Sequence, residues 1–311
     1  MQTKDYSINW FHTQASPKIN GVAMVVHGLN LKPDKMESII SQLTNAGIDV
    51  LNLSLRGHGH NFSQGRNKTK RQARIEAFKT VSHSLWMDET RQAYHQARRQ
   101  SDQHGIPLFF IGYSLGGLMG ADLLASYTDV RFDRMVLFAP ALSLYATHFF
   151  MKLLSPFPRL VIPNPLIKTY RANYGTPVAA YTSLFEALDH FKKNASPRLN
   201  IPILVFIDRQ DELVSYRGLK RFIEKERLDQ WRFHPIQKGK NGVEEKMRHL
   251  IIDEPSMGKE TWHEMRSAMM KHLLHKPSQK SKEGVKGADK VFRKQTPESS
   301  SPTKLEKNLK Y

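Results

Sequence analysis

Short apolar runs alternate with longer amphipathic stretches along the first 274 residues of this 311-residue chain. Residues 21–26 are apolar at every position, the mark of a strand buried on both faces rather than one. Further strand-like runs, mostly apolar though 49–53 and 231–236 include polar residues, lie at 49–53, 107–111, 135–139, 203–207 and 231–236. Between them come stretches with helical spacing at 34–46, closed by Gly47, at 81–103, stopped by Gly105, at 118–124 and at 262–274. Residues 7–13 add a candidate antiparallel strand at the front. Strand–helix alternation of this kind predicts an α/β fold around a mostly parallel sheet. There is no internal repeat.

Two regions break the rhythm. From Ala141 to Arg198 the chain is apolar but irregular, punctuated by Pro156, Pro158, Pro163, Pro165 and Pro177. Because it lies between two core strands, it is expected to be an insertion over the C-terminal edge of the sheet. From 275 to 311 the composition turns to Lys, Ser, Pro and Glu. Such a segment cannot bury enough surface to offset ordering entropy, so a disordered basic tail is expected there.

Charge sharpens the picture only slightly. The net charge is +18; residues 275–311 hold ten Lys/Arg against four Asp/Glu, so +12 is spread over the rest. A basic surface suits nucleic acid, anionic lipid or acidic partners, or simply solubility. The run Arg66, Lys68, Lys70, Arg71 and Arg74 fits either a basic face or a solvated loop. There is no cysteine, which excludes disulfides, thiol catalysis and thiolate-bound metals. The N-terminal residues lack the apolar run of a signal peptide, and no stretch reaches the roughly 20 apolar residues of a membrane span. The expectation is a soluble cytoplasmic protein with at most peripheral contact with an anionic membrane. The oligomeric state is not readable.

The chemistry is concentrated in Gly112-Tyr113-Ser114-Leu115-Gly116-Gly117, directly after the strand at 107–111 and before the helix at 118–124. A serine on a tight strand-to-helix turn needs small neighbours, and that turn lifts its hydroxyl to the top of the sheet as a nucleophile. A serine nucleophile needs a base, and in this architecture the acid and then the histidine follow the serine in the chain. His249 lies after the last strand and before the closing helix. His234 falls within the strand, while His263 and His272 fall within the helix. The acid follows the strand at 203–207: Asp208 is adjacent, but Asp211 can be turned back towards the histidine and is favoured. Two backbone N–H groups, of Leu29 and Leu115, are the expected oxyanion donors. The side chain of Asn30 is a further candidate donor, and His27 is read as holding the loop.

Together these residues resemble the α/β-hydrolase superfamily, in the branch of monoacylglycerol lipases, lysophospholipases and serine-aminopeptidase-like hydrolases. The resemblance covers Tyr6 to Leu274 and rests on His27-Gly28, Arg56-Gly57-His58-Gly59, the Ser114 turn, Asp211-Glu212-Leu213-Val214 and His249. It implies one hydrolase domain over 1–274 with a mostly parallel, eight-stranded sheet flanked by helices. It also implies a cap insertion at about 141–198 and a mechanism without cofactor or metal. The chain departs from the branch in Tyr113, where lipases often have histidine, and in its longer loop from Gln237 to Arg248.

The reaction expected is hydrolysis of carboxylic esters through an acyl-enzyme on Ser114, with Asp211 and His249 completing the triad. The inserted segment offers Phe149 to Leu154 and Leu160 to Ile162, with seven Lys/Arg against Glu186 and Asp189. Those residues either pack the segment onto the sheet or meet a lipid-like substrate and an anionic membrane. Two other readings stand beside this one. A proline-iminopeptidase-like peptidase would need an acidic pair for a substrate ammonium, and a non-catalytic scaffold would use the basic surface; no nucleic-acid module is recognisable.

Overall fold

Alternate residues of the central strands enter two separate hydrophobic cores, one on each side of the sheet. In the computed structural model, which describes residues 7–13, 19–63, 67–164, 166–238 and 247–275, the chain runs β1 (Ile8–Phe11), β2 (Gly21–Val26), α1 (Glu37–Asn45), β3 (Ile48–Leu53), α2 (Lys70–Phe78) and α3 (His83–His104). It continues with β4 (Leu108–Tyr113), α4 (Leu115–Ser126), β5 (Arg134–Phe138), β6 (Val161–Pro163), β7 (Gly175–Pro177) and α5 (Val178–Asn194). Last come β8 (Ile203–Asp208), α6 (Tyr216–Lys225), β9 (Trp231–Ile236), α7 (Glu254–Met257) and α8 (Lys259–Leu274). All but the first residue of the tail expected over 275–311, Arg66 of the basic run and part of the long loop before His249 lie outside the described residues.

The sheet order is β1-β3-β2-β4-β5-β8-β9, and every neighbouring pair is parallel except β1 with β3. This is the α/β-hydrolase architecture. Among the described residues the sheet has seven strands, not the eight that the resemblance implied. The seven are the runs that the apolar pattern marks: β1 pairs directly with β3, and the chain then passes to β2 near the centre. Val22, Met24 and Val26 face Trp86 and Tyr94 of α3, Leu118 of α4 and Leu188 of α5. Ala23 and Val25 face Ile39 and Leu43 of α1 and Met265 and Met269 of α8. A strand buried on both faces has no reason to alternate apolar with polar residues.

Parallel strands bring their C-terminal ends to one edge, so the loops after β2, β4, β8 and β9 converge there. The segment between β5 and β8 is less irregular than its prolines suggest. Pro177 caps a 17-residue helix, α5, whose Ala180, Leu184, Ala187, Leu188 and Phe191 repeat at helical spacing and are buried. Proline before the first turn costs no hydrogen bond there. The 70–78 region is also a helix, closed by a capping box from Thr69 and Gln72. Its Arg74 is no solvated charge: the guanidinium donates to Ala172 O at 2.6 Å and to Asn173 Oδ1 at 3.2 Å, tying α2 to the strand-bearing part of the 141–198 segment.

The crossing of α4 over β2 leaves no room for side chains. A Cβ on Gly116 would collide with the backbone of Val26 and His27, and one on Gly112 would lie 2.6 Å from Gly117 N. Backbone on both sides makes relief costly, so Gly116→Ala is expected to lower stability by about 1–3 kcal/mol or more, read by chemical denaturation. An unchanged midpoint would show that the crossing is looser than these distances imply.

Candidate active site

Ser114 stands between β4 and α4 with φ 51° and ψ −112°, a backbone conformation costing about 1–3 kcal/mol for a residue with a side chain. Its surroundings over-determine it. Ser114 N donates to Phe138 O at 2.9 Å, and Ser114 O accepts from Leu118 N and Ala141 N, each at 3.1 Å. The turn therefore projects the hydroxyl beyond the sheet edge, towards the loop after β9.

His249 meets it there. Its Nε2 lies 2.8 Å from Ser114 Oγ, and its Nδ1 lies 2.8 Å from Asp211 Oδ2. An ionised carboxylate only accepts, so Nδ1 carries the proton and Nε2 is left to accept from the serine hydroxyl. The other oxygen of Asp211 accepts from Leu213 N and Val214 N, both at 2.8 Å, which fixes the carboxylate in its turn. Both residues are buried, with Asp211 at 2% and His249 at 7% exposure. The competing Asp208 ends β8 and faces elsewhere: it accepts from Gln210 N and from Lys238 N, each at 2.7 Å, and so ties β8 to the chain leaving β9. Of the other histidines considered, His272 reaches Met135 O at 3.1 Å, on the far side of the sheet from Ser114's helix.

Burial alone would push the His249 imidazole down. The charge and hydrogen bond of Asp211, joined by the charge of Glu212, outweigh that and raise its pKa above the ordinary value of 6.5. Glu212 also accepts from His249 N at 3.0 Å, and Tyr113 OH donates to His249 O at 3.2 Å while its ring lies 5.3 Å from the imidazole. The residue that departs from the lipase pattern thus braces the histidine loop from below. Sequence reasoning missed both supports; the available signal was their adjacency to Ser114 and Asp211.

The two expected oxyanion donors lie beside the serine. Leu115 opens α4, where the first N–H groups have no acceptor within the helix. Leu29 follows Gly28, where an added Cβ would lie 3.2 Å from Ser114 Cβ, so this loop passes close beside Ser114. Asn30, the candidate side-chain donor, is committed elsewhere. Its amide nitrogen donates to Asn173 O, Gly175 O and Thr176 Oγ1, each at 3.2 Å, and its Oδ1 accepts from Asn173 N at 2.8 Å. It binds the 141–198 segment to the loop after β2 instead of facing Ser114.

Two buried histidines set the shape of that loop. His27 Nδ1 donates to Gly28 O at 2.8 Å and its Nε2 accepts from Leu55 N at 3.1 Å; burial lowers its pKa to about 4. His58 Nε2 accepts from Asn30 N at 2.9 Å, and burial and the neighbouring His27 lower its pKa as well. Both act as neutral hydrogen-bond clamps, which explains the His-Gly and Arg-Gly-His-Gly sequences without assigning them chemistry.

A negative charge beside an imidazole stabilises its protonated form, so removing one lowers the pKa. The His249 ring is expected to titrate above 6.5 in NMR spectra, and Glu212→Gln is expected to move that titration downward while keeping the hydrogen bond to His249 N. A titration at or below 6.5 in the wild type would contradict the geometry.

The comparisons agree with this architecture. Residues 17–176 match the family model described as serine aminopeptidase, S33. No curated protein matches the chain. Among solved structures, a soluble variant of monoglyceride lipase from Saccharomyces cerevisiae, in complex with a substrate analogue, is similar at 16% identity and a TM-score of 0.68, over 86% of this chain and 90% of that one. A monoacylglycerol lipase from Paleococcus ferrophilus is similar at 19% identity and a TM-score of 0.62, over 86% and 97%. Est1E from Butyrivibrio proteoclasticus with bound ferulic acid is similar at 13% identity and a TM-score of 0.55, over 86% and 93%. With a family model matched over half of its length and this fold, the chain belongs to the serine aminopeptidase S33 family of α/β-hydrolases.

Proposed function

We propose that this protein hydrolyses carboxylic esters through an acyl-enzyme on Ser114. The single observation that carries this reading is the pair of 2.8 Å contacts linking Ser114, His249 and Asp211. His249 Nε2 takes the hydroxyl proton as Ser114 Oγ attacks the ester carbonyl, and Asp211 holds the ring and balances the imidazolium. The N–H groups of Leu29 and Leu115 receive the negative oxygen. Collapse expels the alcohol, protonated by His249, and water activated by the same histidine then releases the acid.

The 141–198 segment is proposed as a cap and its substrate as lipid-like. Phe149 stacks on Phe185 at 5.1 Å and Met151 is buried, so part of the segment packs inward. Phe150, Leu153, Phe157 and Leu160 do not: they are 61%, 80%, 64% and 47% exposed. Four large apolar side chains within eleven residues favour contact with a lipid surface, each worth up to about 1.5–3 kcal/mol if fully buried there. Lys152 and Arg159 lie among them but pair with Asp189 and Glu76, so the apolar residues, more than the charges, support this contact. No helix among the described residues is long and apolar enough to cross a membrane. The family's description favours a second reading, an aminopeptidase. Against it, Glu186 and Asp189 are exposed and Asp189 is paired with Lys152, so neither is set to hold a substrate ammonium.

A p-nitrophenyl ester series from short to long acyl chains, with an amino-acid p-nitroanilide beside it, tests these readings. Ester cleavage is expected, with Ser114→Ala or His249→Ala costing about 10⁶-fold in kcat and Asp211→Asn about 10⁴-fold. Leu153→Asp with Phe157→Asp is expected to slow only dispersed long-chain esters. Anilide cleavage without ester cleavage would favour the peptidase, and activity surviving Ser114→Ala would end the mechanism.

A further inference from the structure

Away from Ser114, two histidines from widely separated positions in the sequence meet at one buried carboxylate. Asp122 lies on α4 and is fully buried. Its Oδ2 is 2.9 Å from His83 Nε2, at the start of α3, and its Oδ1 is 2.7 Å from His190 Nδ1, on α5. The Ser126 hydroxyl donates to the same Oδ1 at 3.0 Å. The two imidazole rings lie 4.8 Å apart at their centroids, and one donor atom from each of the three residues falls within 4.8 Å of the others.

We propose that His83, Asp122 and His190 form a structural site for a divalent transition metal, with zinc the best fit. The donor set is two imidazoles and a carboxylate, which suits zinc and excludes a preference for magnesium or calcium, whose ligands are oxygens. Bonds of about 2.1 Å in a tetrahedron put neighbouring donors about 3.4 Å apart. Side-chain adjustments of about an ångström bring the three donors to that spacing. The cluster is reachable, with the side chains of His83 and His190 at 14% and 40% exposure, so an ion can enter and water can fill the fourth position. Ser126 supplies the kind of outer support that orients a ligating carboxylate. The Asp122 carboxylate is wholly buried, and a dication held between it and the two imidazoles would balance its charge directly. The place of the site gives it a consequence: zinc would fasten α5, from the 141–198 segment, to α3 and to the helix that begins at Leu115.

The test uses the full chain stripped of metal with a chelator, titrated calorimetrically with Zn²⁺ alone at neutral pH. Wild type is expected to bind one equivalent tightly and to gain thermal stability. His190→Gln, a half-exposed position whose folding circular dichroism checks, is expected to bind at least about tenfold more weakly and to lose that gain, as is His83→Gln. The other histidines remain in every variant, so binding elsewhere cancels. Co²⁺ in the wild type is expected to give the strong visible bands of a four-coordinate site, which His190→Gln removes. Equal zinc binding by wild type and His190→Gln, or no tight equivalent in wild type, would overturn the proposal and leave an ordinary hydrogen-bonded His–Asp–His cluster.

Discussion

The close packing of α4 against β2 and β4, made possible by Gly116 and Gly112, is the constraint on which the rest depends. It forces Ser114 into a left-handed backbone that a serine adopts only under duress, and so lifts its hydroxyl clear of the sheet. Packing on both faces of the sheet secures that strain: α3, α4 and α5 close one side and α1 and α8 the other. Once the hydroxyl is fixed, the parallel sheet does the remaining positioning, because the loops after β2, β8 and β9 must emerge at the same edge.

Much of this was legible because it is local. Runs buried on both faces, glycines around Ser114, and Gly105 past the end of α3 are signals carried by a few consecutive residues. The placement of Asp211 beside His249, with Asp208 turned to Lys238 N, follows from how far a turn swings the chain after β8, and the favoured choice rested on that geometry. The expected eighth strand came from resemblance and not from the apolar pattern, which marks seven.

What the sequence hid is long-range. Asn30 was readable as a donor towards substrate, yet its partners are 143 to 146 residues away and claim both ends of its amide. Arg74 was indistinguishable from a solvated charge until Ala172 and Asn173 came beside it. The helix α5 was hidden behind the prolines that precede it, the last of which, Pro177, caps its start. His83, Asp122 and His190 sit in three different helices, and no spacing rule links them. The buried neutral pair His27 and His58 shows the converse: sequences that look chemical serve here to hold a loop.

These long-range ties supply two of the attachments of the 141–198 segment. Asn30 and Arg74 tie the part around residues 172–176 to the loop after β2 and to α2, and the His–Asp–His cluster holds α5 against α4. Residues 150–160, ahead of both attachments in the chain, project apolar side chains outward. An anchored later part with exposed apolar residues ahead of it suits the cap proposed above, one that would meet a lipid-like substrate at a surface.

The most direct test of the central claim is covalent labelling of the folded wild type with a fluorophosphonate, with the modified peptide located by mass spectrometry. The account predicts a single modification on Ser114, lost in Ser114→Ala and strongly slowed in His249→Ala. A correctly folded wild type that stays unlabelled, or carries the label on another residue, would contradict it.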